Sequence, residues 1–236
     1  MAIFSKNEGG SLHEQLRRLE REGQIPILCR GIILQKRWQW RAYLSGVYYA
    51  TPTKPEQMGR YNDPSATTGV CYTADSAAIA IAESLGRYYQ QDPESFIISV
   101  SDLVRAQIYT LETTRETTTI DMTRLQAMLH ITADKTMGDS HHMTQSITDW
   151  AANHSKGGYD GITYRSRHYL NVGTCSAFWQ RTGKGGPLIA LTHSSVDDYF
   201  DSDKRNYPMF WLQDDITGFE IVTRTLGFTV SAEEIT

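Results

Sequence analysis

The chain is poor in the features that mark whole classes of protein. It holds three cysteines, Cys29, Cys71 and Cys175, odd in number, far apart and without a CxxC pair. A disulfide framework and a structural zinc site are therefore disfavoured, and a reducing compartment is expected. There is no run of about 18 apolar residues, the length needed to cross a membrane as a helix. The opening stretch, MAIFSKNEGGSLHEQLRRLE, has no apolar segment of signal-peptide length. A cytoplasmic site of action is the expectation, and delivery into another cell by a specialised secretion system, which needs no cleaved signal, stays open. Basic residues are not in surplus either: 23 Lys and Arg stand against 27 Asp and Glu, a net charge of -4. No general positive field draws in a phosphate polymer by counterion release, so neither nucleic acid nor a membrane is expected as partner.

What is present is ordinary for a folded chain of 236 residues, with 40% hydrophobic and 21% charged residues. Ser11 and Glu14 form a capping-box pattern, and Leu12, Leu16 and Leu19 recur along one side of a short helix until Gly23. IPILCRGIIL reads as extended, and KRWQWRAYLSGVYYA has the aromatic and β-branched content of a strand. Residues 51–58 are a loop and residues 59–69 carry turn chemistry. VCYTA is a short strand, followed by a helix capped by Asp75 or Ser76 that runs through Leu85 or slightly beyond. SFIISVSDL reads as a strand, a helical stretch reaches His130, and a further helix ends at Gly157 and Gly158. GITYRS and CSAFW are strands, and strand and turn signals alternate through the last forty residues. Without sustained βαβ alternation or an internal repeat, the expected class is α+β in a single domain.

Several tempting motifs have plainer readings. RTGKGGP lacks the spacing of a phosphate loop and the Ser or Thr after its lysine, so it reads as a loop. His141 and His142 are adjacent, and adjacent helical residues diverge by about 100° and cannot share a metal. No metal site is expected. Cys175 reads as a small buried residue rather than a nucleophile.

Glu83 is harder to dismiss. It lies among Ile79, Ala80, Ile81 and Ala82, in a helix with no hydrophilic face around it. A buried carboxylate needs a partner or a ligand. It can pair with a structural arginine or reach past the alanines to solvent. Its spacing suggests more: Arg60 stands in a GRYN turn, Tyr72 twelve residues later in VCYTADS, and Glu83 eleven after that.

Taken together, Gly59-Arg60-Tyr61-Asn62, Cys71-Tyr72-Thr73-Ala74, Ala82-Glu83 and, farther on, GYDGITYRSR with Ser166 resemble the RES-domain family, named for its arginine, glutamate and serine. Trp40 and Arg41 resemble the WR pair of that family's first strand, and the likeness spans about residues 40–180. Departures are GRY for the more frequent GRW or GRF, Cys71 where leucine is usual, and a long threonine-rich stretch from Glu112 to Met143.

The resemblance implies an ADP-ribosyltransferase-like mixed split sheet with flanking helices, binding NAD+ as substrate and needing no metal. It implies residues 1–35 as an N-terminal helical extension and 36–236 as a RES-like NAD-binding catalytic domain. It names Glu83, Arg60, Tyr72 and Ser166 as catalytic, with Arg41, Arg60, Tyr72 and Ser166 contacting NAD+. The implied activity is that of a bacterial toxin or effector that cleaves the nicotinamide-ribose bond, as a glycohydrolase or phosphorylase. The alternatives are an ADP-ribosyltransferase modifying a protein, and a non-catalytic module binding an NAD-like ligand. An antitoxin or immunity protein blocking the cleft is the implied partner.

Overall fold

Ser11 opens the first helix as the capping box predicts. Its hydroxyl accepts from the Glu14 N–H while the Glu14 carboxylate accepts from the Ser11 N–H, starting α1 (Leu12–Arg21). The structure, a computed structural model, describes residues 11–138, 140–169, 173–181, 183, 185–203, 207 and 216–232. Residues 182 and 184 of the glycine-rich RTGKGGP stretch, much of the tail read as strand and turn, and the first ten residues of the N-terminal extension lie outside these.

After α1 come β1 (Ile27–Arg30), β2 (Leu34–Gln39), β3 (Thr68–Ala74) and α2 (Ala77–Gln91). They are followed by β4 (Ile97–Ser99), α3 (Val100–Arg105), β5 (Gln107–Thr113) and β6 (Thr117–Asp121). Three helices succeed them: α4 (Met122–Met128), α5 (Ala133–Met137) and α6 (His142–Asp149). The remaining strands are β7 (Gly161–Tyr164), β8 (Cys175–Arg181), β9 (Leu188–Ser195), β10 (Phe200–Asp201), β11 (Ile216–Thr217) and β12 (Thr229–Ser231). Eight strands form the main sheet in the order β1-β6-β7-β8-β3-β2-β5-β9. The β6–β7 pair is parallel and its other pairings are antiparallel. A mixed sheet flanked by helices is the α+β architecture that the element order predicts.

Three elements differ from the sequence reading. The strand expected through Ala50 stops at Gln39, because residues 41–50 fold back over the sheet. There the Tyr43 N–H donates to the Tyr109 hydroxyl at 2.7 Å, and Gly46 lies so close to the Tyr109 ring that no side chain would fit. The strand in SFIISVSDL ends at Ser99, whose capping box with Asp102 starts α3 instead. The threonine-rich stretch begins as sheet, in the end of β5 and in β6, before α4 and α5: Thr119 of β6, Thr163 of β7 and Ser176 of β8 join hydroxyls at 2.7 and 3.2 Å, which suits a β-branched polar residue in a buried strand.

The sheet buries both faces over its centre. On one, α2 packs over β2 and β3 with Ile79, Ile81 and Leu85 fully covered. On the other, Cys71, Tyr109, Leu111, Phe178 and Leu188 form a smaller core under Val47 and Tyr49. Residues 1–35 supply more than a helix, since β1 pairs with β6 and Leu16 and Leu19 enter the main core.

Candidate active site

The site is assembled from one turn, one helix, one row of the sheet and the segment that follows β7. Strand pairing places Tyr164 beside Cys175, Cys175 beside Ala74, Ala74 beside Lys36 and Lys36 beside Thr110. Residues directly opposite in successive strands share a face, so this row runs across the sheet beneath α2. A cleft of about 170 Å³ opens there, between Lys36, Trp38, Tyr72, Tyr164 and Cys175 on the sheet and Glu83 on the helix. Ligand pockets usually measure about 300–1,000 Å³, so this cavity takes one part of a large ligand rather than all of it. A wider depression of about 600 Å³, by Tyr49, Gly69 and Arg181, has no carboxylate among its lining residues.

Ser76 caps α2 by accepting from the Ile79 N–H, and the helix carries Glu83 to the cleft. The carboxylate is held firmly. Its Oε1 accepts from the Ser166 hydroxyl at 2.7 Å and the Arg167 N–H at 3.0 Å, while Oε2 lies 3.7 Å from Arg60 Nη2. About a fifth of the side chain, 19%, stays accessible. The glutamate thus has the structural arginine partner that its burial demands and an open edge toward a ligand.

Arg60 comes from the turn, and the turn is tied to β3 through Tyr72. The Tyr72 hydroxyl accepts from the Tyr61 N–H at 2.8 Å and donates to Asn62 Oδ1 at 3.2 Å, while Asn62 Oδ1 also accepts from the Gly59 N–H. A Cβ on Gly59 would sit 2.8 Å from that hydroxyl, which explains the glycine before the arginine. Burial pushes the Tyr72 phenol up, keeping it a neutral donor. Arg60 is 8% exposed and lies 5.3 and 5.9 Å from the ring centres of Tyr164 and Tyr61.

The structure therefore brings Arg60, Tyr72, Glu83 and Ser166 together. Arg41 it places elsewhere: the residue is exposed, beyond the end of β2, with its Nε donating to the Tyr43 hydroxyl at 3.3 Å. Cys175 is buried in the floor, and burial with Glu83 nearby pushes its thiol well up, away from the thiolate a nucleophile requires.

Two groups at the site, Lys36 and His168, lie outside the sequence motifs, and a third, Tyr164, is the tyrosine of the GYDGITYRSR segment. Lys36 lines the floor. Tyr164 is 5% exposed, its ring tilted against that of Tyr61 at 4.5 Å between ring centres. His168 presses its ring against Gly86, one turn beyond Glu83, and its Nε2 accepts from Arg167 Nε at 2.9 Å. Burial lowers the His168 pKa, outweighing the pull of Glu83. Burial also lowers that of His141, with Arg60, Arg167 and Arg87 adding to it, so the rim around the carboxylate is already rich in guanidinium charge. Among the described residues no three His, Cys, Asp or Glu side chains gather as a metal site.

The RES domain family model matches residues 33–197. In the solved structures the chain resembles a chain of the M. tuberculosis MbcT-MbcA toxin-antitoxin complex, with a TM-score of 0.53 and 16% identity, over 89% of this chain and 96% of that one. At that identity the likeness shows a shared fold. No curated protein matches the chain.

Proposed function

The chain belongs to the RES-domain family, and from that premise we propose that it is an NAD+-consuming enzyme, a toxin or effector that breaks the nicotinamide-ribose bond. The observation that carries the reading is Glu83: an accessible carboxylate in an aromatic cleft, oriented by Ser166 and the Arg167 N–H. Breaking that bond builds positive charge on the ribose as neutral nicotinamide leaves, and a fixed carboxylate beside the ribose stabilises the charge. Arg60 restrains Glu83 on one side and offers guanidinium donors to phosphate oxygens on the other. The Tyr72 and Tyr164 rings supply flat walls for the nicotinamide or ribose. The bond breaks heterolytically: its electron pair leaves with nicotinamide, and the cation is captured by water or phosphate.

In this reading residues 36–236 are the NAD-binding catalytic unit, with an ADP-ribosyltransferase-like fold, and residues 1–35 are an extension of it. Arg41 has no contact with the cleft to support a role in binding NAD+. Water or phosphate is favoured over a protein as acceptor, because position 81, two residues before Glu83, holds a fully buried isoleucine where arginine-modifying transferases often carry a base. The toxin-antitoxin setting of the structural neighbour supports a protein partner that covers the cleft. Among the described residues no helix is long and apolar enough to cross a membrane, and the cytoplasmic NAD+ pool is the proposed target.

The test is to incubate purified protein with NAD+ labelled on the adenylate, in the presence of a cell lysate. Released nicotinamide with the label in ADP-ribose or its phosphorylated form supports the reading. Label on one discrete protein band makes the enzyme a transferase instead, and absence of nicotinamide release leaves a ligand-binding module.

A further inference from the structure

Lysine is rarely buried without a partner, because removing an ammonium from water is costly. Lys36, half-buried, projects from the sheet into the cleft, in the floor row between Ala74 and Thr110. Its Nζ donates to the Thr110 hydroxyl at 2.9 Å and lies 5.4 Å from the centre of the Tyr199 ring. Neither contact supplies a counter-charge. The neighbouring Arg37 also borders the cleft, but its Nη1 is engaged elsewhere, donating to the Gly46 and Tyr48 carbonyls and to Cys71 Sγ.

Tyr199 belongs to a strap, residues 196–203, that lies almost wholly beyond the matched domain. The strap is tied down: the Val196 N–H donates to the Ala106 carbonyl, β10 pairs with β11, and the buried Asp201 accepts from the Tyr207 hydroxyl. Burial lowers the Lys36 pKa, and Asp201 and Asp203 of the strap work against that shift, favouring the ammonium. An ammonium maintained in a cleft by charges that do not neutralise it by contact is poised for an anionic ligand.

We propose that Lys36 is a phosphoryl-binding residue on the floor of the cleft, oriented by Thr110 and by the strap that follows the RES domain. A compact ammonium acts on phosphate as a point charge, and here it stands across the cleft from Glu83. For the ligand's identity the inference rests on the NAD+-cleaving reading. The phosphoryl group has two sources, the diphosphate of the dinucleotide or an inorganic phosphate that captures the ribosyl cation.

The experiment is calorimetric titration of the full chain with ADP-ribose and, separately, with inorganic phosphate, using wild type, Lys36→Met, Lys36→Arg and Thr110→Val, alongside KM and kcat for NAD+. Lys36→Met is expected to weaken binding by about 10- to 100-fold, the loss of one charged hydrogen bond, with Lys36→Arg recovering most of it. A loss confined to ADP-ribose, with a raised KM and little change in kcat, identifies the diphosphate. A loss confined to phosphate, with a rate that no longer responds to added phosphate, identifies the acceptor. Thr110→Val removes the orienting hydroxyl at nearly constant shape and should give a smaller loss of the same kind. Unchanged affinity for both ligands in folded Lys36→Met, or in Thr110→Val should Lys36→Met fail to fold, overturns the proposal. Lys36-dependent binding by a wild type that releases no nicotinamide would overturn the enzymatic reading and leave this one standing.

Discussion

Ser166 Oγ accepts two backbone N–H groups, from His168 at 3.1 Å and Tyr169 at 2.9 Å, so its single proton is directed to Glu83. The serine is thereby a positioning residue: it holds one carboxylate oxygen and leaves the charge in place. Replacing Glu83 by glutamine keeps the volume and removes that charge. Glu83→Gln is expected to stay folded and lose about 100- to 1,000-fold in NAD+ cleavage, the usual range for one electrostatic group. Near wild-type nicotinamide release by the folded variant would remove Glu83 from the mechanism. Ser166→Ala should cost less, because the Arg167 N–H still holds Oε1. A drop in kcat with KM for NAD+ little changed would fit positioning. A serine that touches ribose in the ground state would raise KM instead.

At the scale of elements, the turn that presents Arg60 is built on one carboxylate. Asp63, 1% exposed, accepts from the N–H groups of Ser65, Thr67 and Thr68, from the Ser65 and Thr67 hydroxyls, and from Asn153 Nδ2. Burial raises its pKa, but the hydrogen bonds of Ser65, Asn153 and Thr67 outweigh burial and hold it below the usual carboxylate range. A carboxyl group whose folded pKa is depressed stabilises the fold above its unfolded pKa of about 3.9, and that contribution is lost as pH falls through the folded pKa. Asp63→Asn should therefore destabilise the protein at pH 7 by about 1.5–3 kcal/mol, the range for hydrogen bonds to a charged group, and the gap to wild type should shrink below about pH 4. Denaturant melts at both pH values check this, and an equal gap at both would mean that Asp63 acts through packing alone. The turn, β3 and α2 were legible because Gly59, Asn62, Asp63 and Ser76 are local signals that do not depend on the rest of the fold. Which cation of β2 faces the cleft was not. Its identity depends on which residues of β2 face α2, and a shift of one residue exchanges the faces. The WR pair points to Arg41, two residues past the end of the strand, whereas the sheet register puts Lys36 in the floor. His168 is hidden for the same reason, since it reaches the site by long-range packing, whereas Tyr164 stands within the legible GYDGITYRSR segment.

At the scale of the whole molecule, the contacts of residues 11–35 tie the extension into the fold of the proposed catalytic unit. Their composition suggested an added helix, and α1 does lie where the capping box put it. Its partners could not be read from sequence, since they lie more than a hundred residues away. His13 Nε2 is 3.1 Å from the Ser146 hydroxyl and carbonyl of α6, and Glu20 Oε1 accepts from the Lys156 and Gly157 N–H groups. Leu16 and Leu19, at 0% and 5% exposure, share a core with Ile147 and Trp150. Burying two leucines is worth about 3–6 kcal/mol together, against a total stability of about 5–15 kcal/mol for a typical domain. Deletion would also remove β1 and the first two residues of β2, and leave β6 as an unprotected edge, open to pairing with other chains. A chain lacking residues 1–35 is therefore expected to melt at clearly lower temperature or to aggregate, and Leu16→Ala in the full chain to lose about 2–5 kcal/mol. Thermal unfolding and size-exclusion chromatography measure both. If the shortened chain stays monomeric with an unchanged Tm and still cleaves NAD+, the extension is separable and its contacts with α6 and β6 add nothing to the stability of the catalytic unit.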